Sequence, residues 1–600
     1  MSSPAPVRQD HPTTGGPIRF LPWLRWPVTD AHRRRYGPVT AFVAAAAAAL
    51  GIGSPYLPWA FSRKALDNMT FLGGPSPLQF LQLAIAVITL TCVLGGIARR
   101  RGWPALRNPT AGARGLARIG WSRAAKTAAS GWLIFMLIGV AAIAVELGGL
   151  VNVRYGGWVA TALAALAFFA TRLLPTDPEP DLHRVELDSW VEIVIIVAIM
   201  GVGMFGATYA LKIDDAGTFC VFLAFVVAVV LTLGRSGFGG FIRAAGRRHR
   251  RVLLLSMFVV AFAFPLTQSG SSATMSIATQ VLVFAATALG LNIVVGLAGL
   301  LDLGYIAFLG AGSFTAAVLS RSAAATIDWH PPFLVVMIIS GLVSATLGLI
   351  IGLPNLRVSG DYLAIVTLAF GEIFRYTMVN LDGSDGPNLI HGINGITAIP
   401  DLNLFGFDFG ATRSLFGVSI PREANYYILL LVLIAIVMVI FRNINASRIG
   451  RGWVAIREDE KAAEAMGVNV FGLKVLAFAG GAFLAGIAGS VKAHVDVSIT
   501  PDQFQFLDSA FLLAAVVLGG MGTIGGVLVG ATLLKLAPEK LRFINDYRLL
   551  IFGLLLILMM RFRPEGLMPS ARRQLEFHAE DEELAGTVVP IDALEATQVR

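Results

Sequence analysis

The stretch GRGWVAIREDEKAAEAMGVN, residues 450–469, holds six charged residues within positions 457–464 and is flanked by apolar runs at about 425–441 and 471–491. Runs of this length, about 17 residues or more, can cross a bilayer as helices. Charged side chains are costly in hydrocarbon, so the stretch between the runs indicates a polar loop at a membrane surface. The pattern predicts a membrane protein in which residues 442–470, here called the charged loop, connect two spanning helices.

The composition of the whole chain agrees with this interpretation. Of the 600 residues, 56% are hydrophobic and only 14% are charged, which is far from the balance of soluble globular domains. Continuous apolar runs favour helices over the alternating strands of a membrane barrel. We therefore predict an all-α, polytopic integral membrane protein with about 16 transmembrane or half-membrane helices.

Clusters of arginine show where the chain divides. The predicted segments are a basic, Pro-rich N-terminal segment at 1–36, an extra six-helix membrane module at 37–251, a second membrane domain at 252–570 and an acidic tail at 571–600. Lysine and arginine are enriched in cytoplasmic loops, so the alternation of the runs predicts both termini and the charged loop inside and residues 381–424 outside. A Gly-rich segment at 519–526, here called the glycine break, is predicted to separate two shorter helices.

Several function classes are not supported by the sequence. The net charge of +9 is explained by basic cytoplasmic loops, so no nucleic-acid partner is predicted. Phosphate-binding, hydrolase-elbow and zinc signatures are absent, and the two cysteines, Cys92 and Cys220, lie in apolar runs. We predict no catalytic residue, no metal site and no bound cofactor, so any ATP is used by another chain.

A few polar residues lie inside the apolar runs and are candidates for a translocation path, because polar groups there usually face a cavity or a partner. These candidates are Asn292, Asp302, Glu372, Arg375 and Asn380. Two alternatives remain open. Glu372 and Arg375 are three residues apart and equally fit a structural ion pair. Asp302 equally fits the start of a helix.

The charged loop has two faces if residues 456–466 form one helix at 100° per residue. The charged face holds Arg457, Glu460, Lys461 and Glu464, and the apolar face holds Ile456, Ala463 and Met466. This apolar face is thin, whereas helices that bind lipid carry bulky apolar residues along their length. The loop therefore fits a groove on a partner protein better than a membrane surface, with a plain solvated loop as the alternative.

Four blocks, in order, resemble the LivH/LivM permeases of bacterial branched-chain amino acid ABC importers, with the LivM branch closer. The blocks are ALGLNIVVGLAGLLDLGYIAFLGAGSFTAA at 288–317, RVSGDYLAIVTLAFGEIFRYTMVN at 357–380 with GINGI at 392–396, the stretch at 450–469, and LGGMGTIGG at 518–526 with RPEGL at 563–567. The chain departs from the family pattern at Asp302, where a small polar residue is more usual, and at Ile390 and His391, which replace a Gly pair. Lys461 replaces a leading Glu, and Glu460 precedes it.

The resemblance implies a LivM-like permease domain within residues 252–570 and a function as permease subunit for branched-chain or related small apolar amino acids. It implies that the charged loop couples to an ATPase through Arg451, Trp453, Ile456, Arg457, Glu458, Glu460, Ala462, Ala463, Met466 and Gly467. The implied partners are two ATPase subunits that use ATP, a LivH-like permease, an extracytoplasmic substrate-binding protein and the bilayer of a bacterial inner membrane. The alternative from another class is a secondary transporter or channel for small polar solutes such as urea or amides.

Overall fold

The structure is a computed structural model that describes residues 30–60, 77–101, 118–175, 182, 187–213, 215–268, 270–355, 361–384, 387–415 and 417–540, with short pieces between 550 and 568. In this part of the chain, twelve helices are long and apolar enough to cross a membrane, and Ile306–Val318 is a shorter apolar helix. The all-α polytopic fold is confirmed. Residues 1–29, the acidic tail at 571–600 and most of the last apolar run lie outside the described residues.

The chain divides into two compact units after Gln268. The described residues of the first unit form eight helices: α1 (Asp30–Gly53), α2 (Pro77–Arg100), α3 (Trp121–Leu147), α4 (Tyr155–Arg172), α5 (Ser189–Lys212), α6 (Ala216–Ser236), α7 (Phe238–Arg248) and α8 (Arg250–Thr267). Its core surrounds Trp132, which is fully buried. Gly51 lies so close to this indole that an added Cβ would overlap it, so a small residue is needed at this helix crossing.

The second unit contains the remaining described helices. They are α9 (Ser272–Leu291), α10 (Ile306–Val318), α11 (Phe333–Asn355), α12 (Asp361–Val379), α13 (Arg422–Ala446), α14 (Arg448–Glu458), α15 (Glu460–Ala465), α16 (Val470–Asp496), α17 (Phe506–Gly519) and α18 (Ile524–Lys540). A π-helical turn, Asn292–Leu297, continues α9. The chain between residues 520 and 523 separates α17 from α18, so the predicted interruption at the glycine break is confirmed.

Helix α16 lies at the centre of the second unit, where it packs against α9, α10 and α11. The Tyr305 hydroxyl donates to the Gly481 carbonyl over 2.6 Å, and a Cβ added at Gly312 would overlap the backbone of Gly486. Glycine residues thus let α10 approach α16 closely, and the Tyr305 hydroxyl finds a hydrogen-bond acceptor within the apolar core. The charged loop leads directly into α16, so this packing holds the end of the loop in place.

Residues 381–421, here called the hairpin loop, connect α12 to α13. They contain two small antiparallel ribbons, β1 (Asn403–Leu404) with β2 (Phe407–Asp408) and β3 (Arg413–Leu415) with β4 (Val418–Ile420). Phe405 forms the first turn at φ +53°, followed by Gly406 at φ +81°. A positive φ is unusual for a bulky residue, and the Phe405 side chain is 90% exposed.

Candidate functional site

The charged loop folds as two helices, α14 and α15, and the prediction of one continuous helix across it was wrong. The break is at Asp459, whose backbone is extended, at φ −153° and ψ 109°. Its carboxylate accepts a hydrogen bond from the Ala462 N–H over 3.0 Å, which caps α15. Because of this break, Arg457 and Glu460 do not share one helical face.

Three of the apolar loop residues anchor the loop to its own chain. Trp453, Ile456 and Ala463 are buried. The Trp453 indole N–H donates to the Leu473 carbonyl at the start of α16 over 2.7 Å. Ala463 therefore lies inside the fold of this subunit and does not belong to an exposed apolar face, whereas Met466 is 84% exposed.

Arg457 connects the charged loop to the end of a membrane helix. Its Nη1 donates to the carbonyl oxygen of Gly296 over 2.8 Å, and Gly296 lies in the π-helical turn that ends α9. The last carbonyl groups of a helix lack partners within it and carry partial negative charge, so a guanidinium is a favourable cap. Gly299, at φ +73°, lies against the same side chain, and a Cβ added there would overlap Arg457.

Asn292 connects the same π-helical turn to the glycine break. Its Oδ1 accepts from the Gly522 N–H over 2.8 Å, and its Nδ2 donates to the Thr523 carbonyl over 3.4 Å. The side chain is fully buried. The structure thus brings Asn292, predicted as a path residue, together with Arg457, predicted as a coupling residue, around Gly296.

Glu460 pairs with a lysine of its own chain. Its carboxylate lies 2.6 Å from the ammonium group of Lys474 on α16, whose side chain is only 7% exposed. This pair fixes α15 onto the membrane helix that follows it. Glu460 is therefore engaged within the subunit, next to the position where Lys461 departs from the family pattern.

The remaining predicted coupling residues lie on the exposed side of the charged loop. They are Arg451, Glu458, Ala462, Met466 and Gly467. Gly467 follows the last turn of α15 with φ +83°, the left-handed conformation that commonly ends a helix and that glycine adopts easily. The exposed side combines small residues, one large apolar side chain and charged side chains.

The other predicted path residues are separated in the second unit. Asp302 is buried before α10, where its Oδ1 accepts from the Gly304 N–H over 2.9 Å and its Oδ2 has no partner among the described residues. On α12, Arg375 lies 3.2 Å from Glu372 and 3.2 Å from Asp502. Asn380 donates to the Tyr376 carbonyl at the exposed end of α12. Glu372 and Arg375 thus form an ion pair, and the path role of these residues remains a prediction.

The sequence analysis missed a second polar group, formed by Gln280, Lys492 and Asp496. Asp496 accepts from the Gln280 amide over 2.6 Å and pairs with Lys492. Lys492 and Asp496 are four residues apart, a spacing typical of a helical ion pair. The predicted apolar run ends at residue 491, five positions before Asp496, whereas α16 continues to Asp496.

Comparisons with known proteins agree with the four sequence blocks. A family model described as branched-chain amino acid transport system / permease component matches residues 273–560. The high-affinity branched-chain amino acid transport system permease protein LivM of Salmonella typhimurium is 38% identical over 339 residues, which cover 54% of this chain and 77% of the relative. LivM of Escherichia coli K12 gives the same identity and coverage. LivH of Escherichia coli K12 is 32% identical over 127 residues, which cover 21% of this chain and 41% of the relative. No solved structure matches the chain significantly.

Proposed function

Since this chain belongs to the family of branched-chain amino acid transport permeases, we propose that it is the membrane subunit of an ATP-driven importer for branched-chain or related small apolar amino acids. The energy source is a pair of ATPase subunits, and the chain itself binds no ATP. A homologous LivH-like permease completes the path, and an extracytoplasmic binding protein delivers the solute.

The observation that carries this proposal is the connection of the charged loop to the interrupted helices. Arg457 caps the π-helical turn at Gly296, and Asn292 in that turn holds Gly522 and Thr523 of the glycine break. A displacement of α14 is therefore transmitted to two helix ends through these hydrogen bonds. Closure of the ATPase subunits can shift a transporter from one conformation to another only if their contacts with the permease differ between the two conformations.

The hairpin loop is the proposed contact for the binding protein. We place this loop on the outer side of a bacterial inner membrane and both termini in the cytoplasm, because the predicted spans alternate and basic loops mark the cytoplasmic side. Its exposed Phe405 is held in a sterically unfavourable backbone conformation. Aromatic side chains are enriched at the energetic centres of protein interfaces, which supports a docking role.

The test is ATP-coupled leucine uptake in vesicles that contain this chain, the second permease, the ATPases and the binding protein. Met466→Asp changes an exposed residue, so we expect the subunit to keep its fold while the exposed side of the charged loop acquires a charge. We expect uptake and transport-stimulated ATP hydrolysis to fall at least about tenfold, equivalent to about 1.4 kcal/mol. Met466→Leu is the matched control and retains uptake. Normal uptake in the Met466→Asp vesicles would overturn the coupling role.

One observation favours a secondary transporter as a second candidate function. Asp302 is buried with one carboxylate oxygen unpartnered among the described residues, as in a proton-binding residue of a transporter. That function requires uptake driven by an ion gradient without the ATPases. Retained uptake after omission of the ATPases, together with its loss on addition of a protonophore, would replace the importer by this candidate.

A further inference from the structure

A polar cavity of about 400 Å³ opens in the second unit among α9, α13, α16 and the turn Pro501–Gln503. Small-molecule sites have volumes of roughly 300–1,000 Å³, so the cavity is large enough for an amino acid. Its polar lining includes Gln280, Arg422, Glu423, Tyr426, Asp496 and Gln503. The cavity lies at the end of α13 that adjoins the hairpin loop, on the side that we propose to be the outer one.

The charges around this cavity leave an excess of hydrogen-bond acceptors. Arg422 is paired with Asp401 over 2.6 Å, and Asp496 is paired with Lys492. Glu423 Oε2 and Gln503 Oε1 are both buried and have no hydrogen-bond partner within the described part of the chain. A buried acceptor without a donor is unfavourable, so a ligand that brings N–H donors to these two oxygens is stabilised there.

Arg422 adds a donor group to the same lining. Its Nε donates to Asp401, its Nη1 to the Val495 carbonyl over 3.3 Å and its Nη2 to the His494 carbonyl over 2.6 Å. A guanidinium has five N–H donors, and these three bonds leave two. Such donors match a carboxylate, so the lining holds partners for both charges of a zwitterion.

We propose that this cavity is an entry site for zwitterionic amino acids, with Glu423 and Gln503 accepting from the ammonium group and Arg422 donating to the carboxylate. The choice of solute rests on the proposed transport function. The site recognises the backbone end that all amino acids share, so L-alanine competes with L-leucine to within about threefold, a difference of less than about 1 kcal/mol. A neutral amide lacks the ammonium charge and binds poorly.

The experiment measures binding to the full chain, purified in lipid nanodiscs without ATPases or binding protein, by ligand-observed saturation-transfer NMR. The probes are L-leucine, isopentylamine, which lacks the carboxylate, isocaproate, which lacks the ammonium group, and isocaproamide, which is neutral. We expect L-leucine to bind most tightly, isopentylamine more weakly, and the last two not at all. Binding of isocaproamide as tight as that of L-leucine would overturn the proposal.

Two variants assign the binding to the cavity. Glu423→Gln removes the charge with little change in shape, and we expect the affinity for L-leucine and isopentylamine to fall about tenfold or more. Ser276→Trp places a large side chain in the cavity lining and leaves the charged residues themselves unchanged, and we expect it to abolish binding as well. The control is Asp408→Asn in the hairpin loop. Unchanged leucine affinity in both Glu423→Gln and Ser276→Trp would refute the site.

This measurement is independent of coupling to ATP. If the isolated chain binds no amino acid while the complete assembly still shows ATP-dependent uptake, the cavity proposal fails and the transport function stands. If Met466→Asp retains uptake while Glu423→Gln loses leucine binding, the coupling proposal fails and the cavity proposal stands.

Discussion

The ammonium group of Lys474 lies 2.6 Å from a carboxylate oxygen of Glu460, and this ion pair joins the second helix of the charged loop to α16. The two partners differ in exposure, since the side chain of Lys474 is 7% exposed and that of Glu460 is 44% exposed. Removing Glu460 therefore leaves a nearly buried charge without its partner, while removing Lys474 leaves a carboxylate that water can reach.

The first prediction follows from this asymmetry. Glu460→Gln should lower the free energy of unfolding by about 1–3 kcal/mol, more than Lys474→Met does, because the buried ammonium loses its charged acceptor. The double variant should recover part of the loss. Thermal unfolding of the purified variants measures these differences. Equal losses that add in the double variant would show that the pair does not fix the loop.

The second prediction concerns Arg457 and Gly299. Gly299→Ala should displace the Arg457 side chain and lower ATP-coupled uptake at least about tenfold, since a charged hydrogen bond of roughly 1.5–3 kcal/mol at the Gly296 carbonyl is lost. Arg457→Gln should give a comparable loss. Uptake in reconstituted vesicles is the measurement. Gly480→Ala is the control, because a Cβ there meets open space.

The third prediction concerns Asn292 at the glycine break. Asn292→Ala removes the acceptor of the Gly522 N–H and the donor to the Thr523 carbonyl, so the protein should lose about 1–3 kcal/mol of stability. Uptake per folded molecule should fall as well, because the break is no longer fixed to the π-helical turn. The measurements are thermal unfolding and vesicle uptake. Thr532→Ala, which removes a hydrogen bond within a single helix, should retain uptake.

The fourth prediction concerns Phe405 at the tip of the hairpin loop. Phe405→Ala should raise the concentration of binding protein needed for half-maximal uptake about tenfold, since truncating an aromatic side chain at the centre of an interface removes more than 1 kcal/mol. The maximal rate at saturating binding protein should be unchanged. Phe405→Tyr keeps the ring and serves as control. A Phe405→Ala protein with the wild-type concentration dependence would exclude this docking point.

The helices were predictable because their apolar lengths and the polar segments between them are local properties of the chain. The sequence held one sign of the interruption in the charged loop, since aspartate is a preferred helix N-cap residue and Asp459 caps α15. It was overlooked because the charges around it suggested one continuous face.

The contacts of the site were not predictable from the sequence. Arg457 and Gly296 are 161 residues apart, and Arg375 and Asp502 are 127 apart. The periodicity of the sequence does not predict which side chain of the charged loop contacts which helix end, because that contact depends on how α9, α14 and α17 pack. The polar lining of the cavity likewise comes from segments that are separate in sequence.

The hydrogen bond between Arg457 and the Gly296 carbonyl has a consequence for hybrid transporters. The π-helical turn after α9 has a carbonyl group that is hydrogen-bonded by a side chain of the charged loop, so each of the two segments supplies one partner of the bond. In a chimera that receives only the charged loop of a different permease, the arginine comes from one protein and its acceptor, the carbonyl at position 296, comes from the other. Transplanting residues 292–299 and 447–467 together keeps this donor with its own acceptor, so the two stretches should be exchanged as a pair.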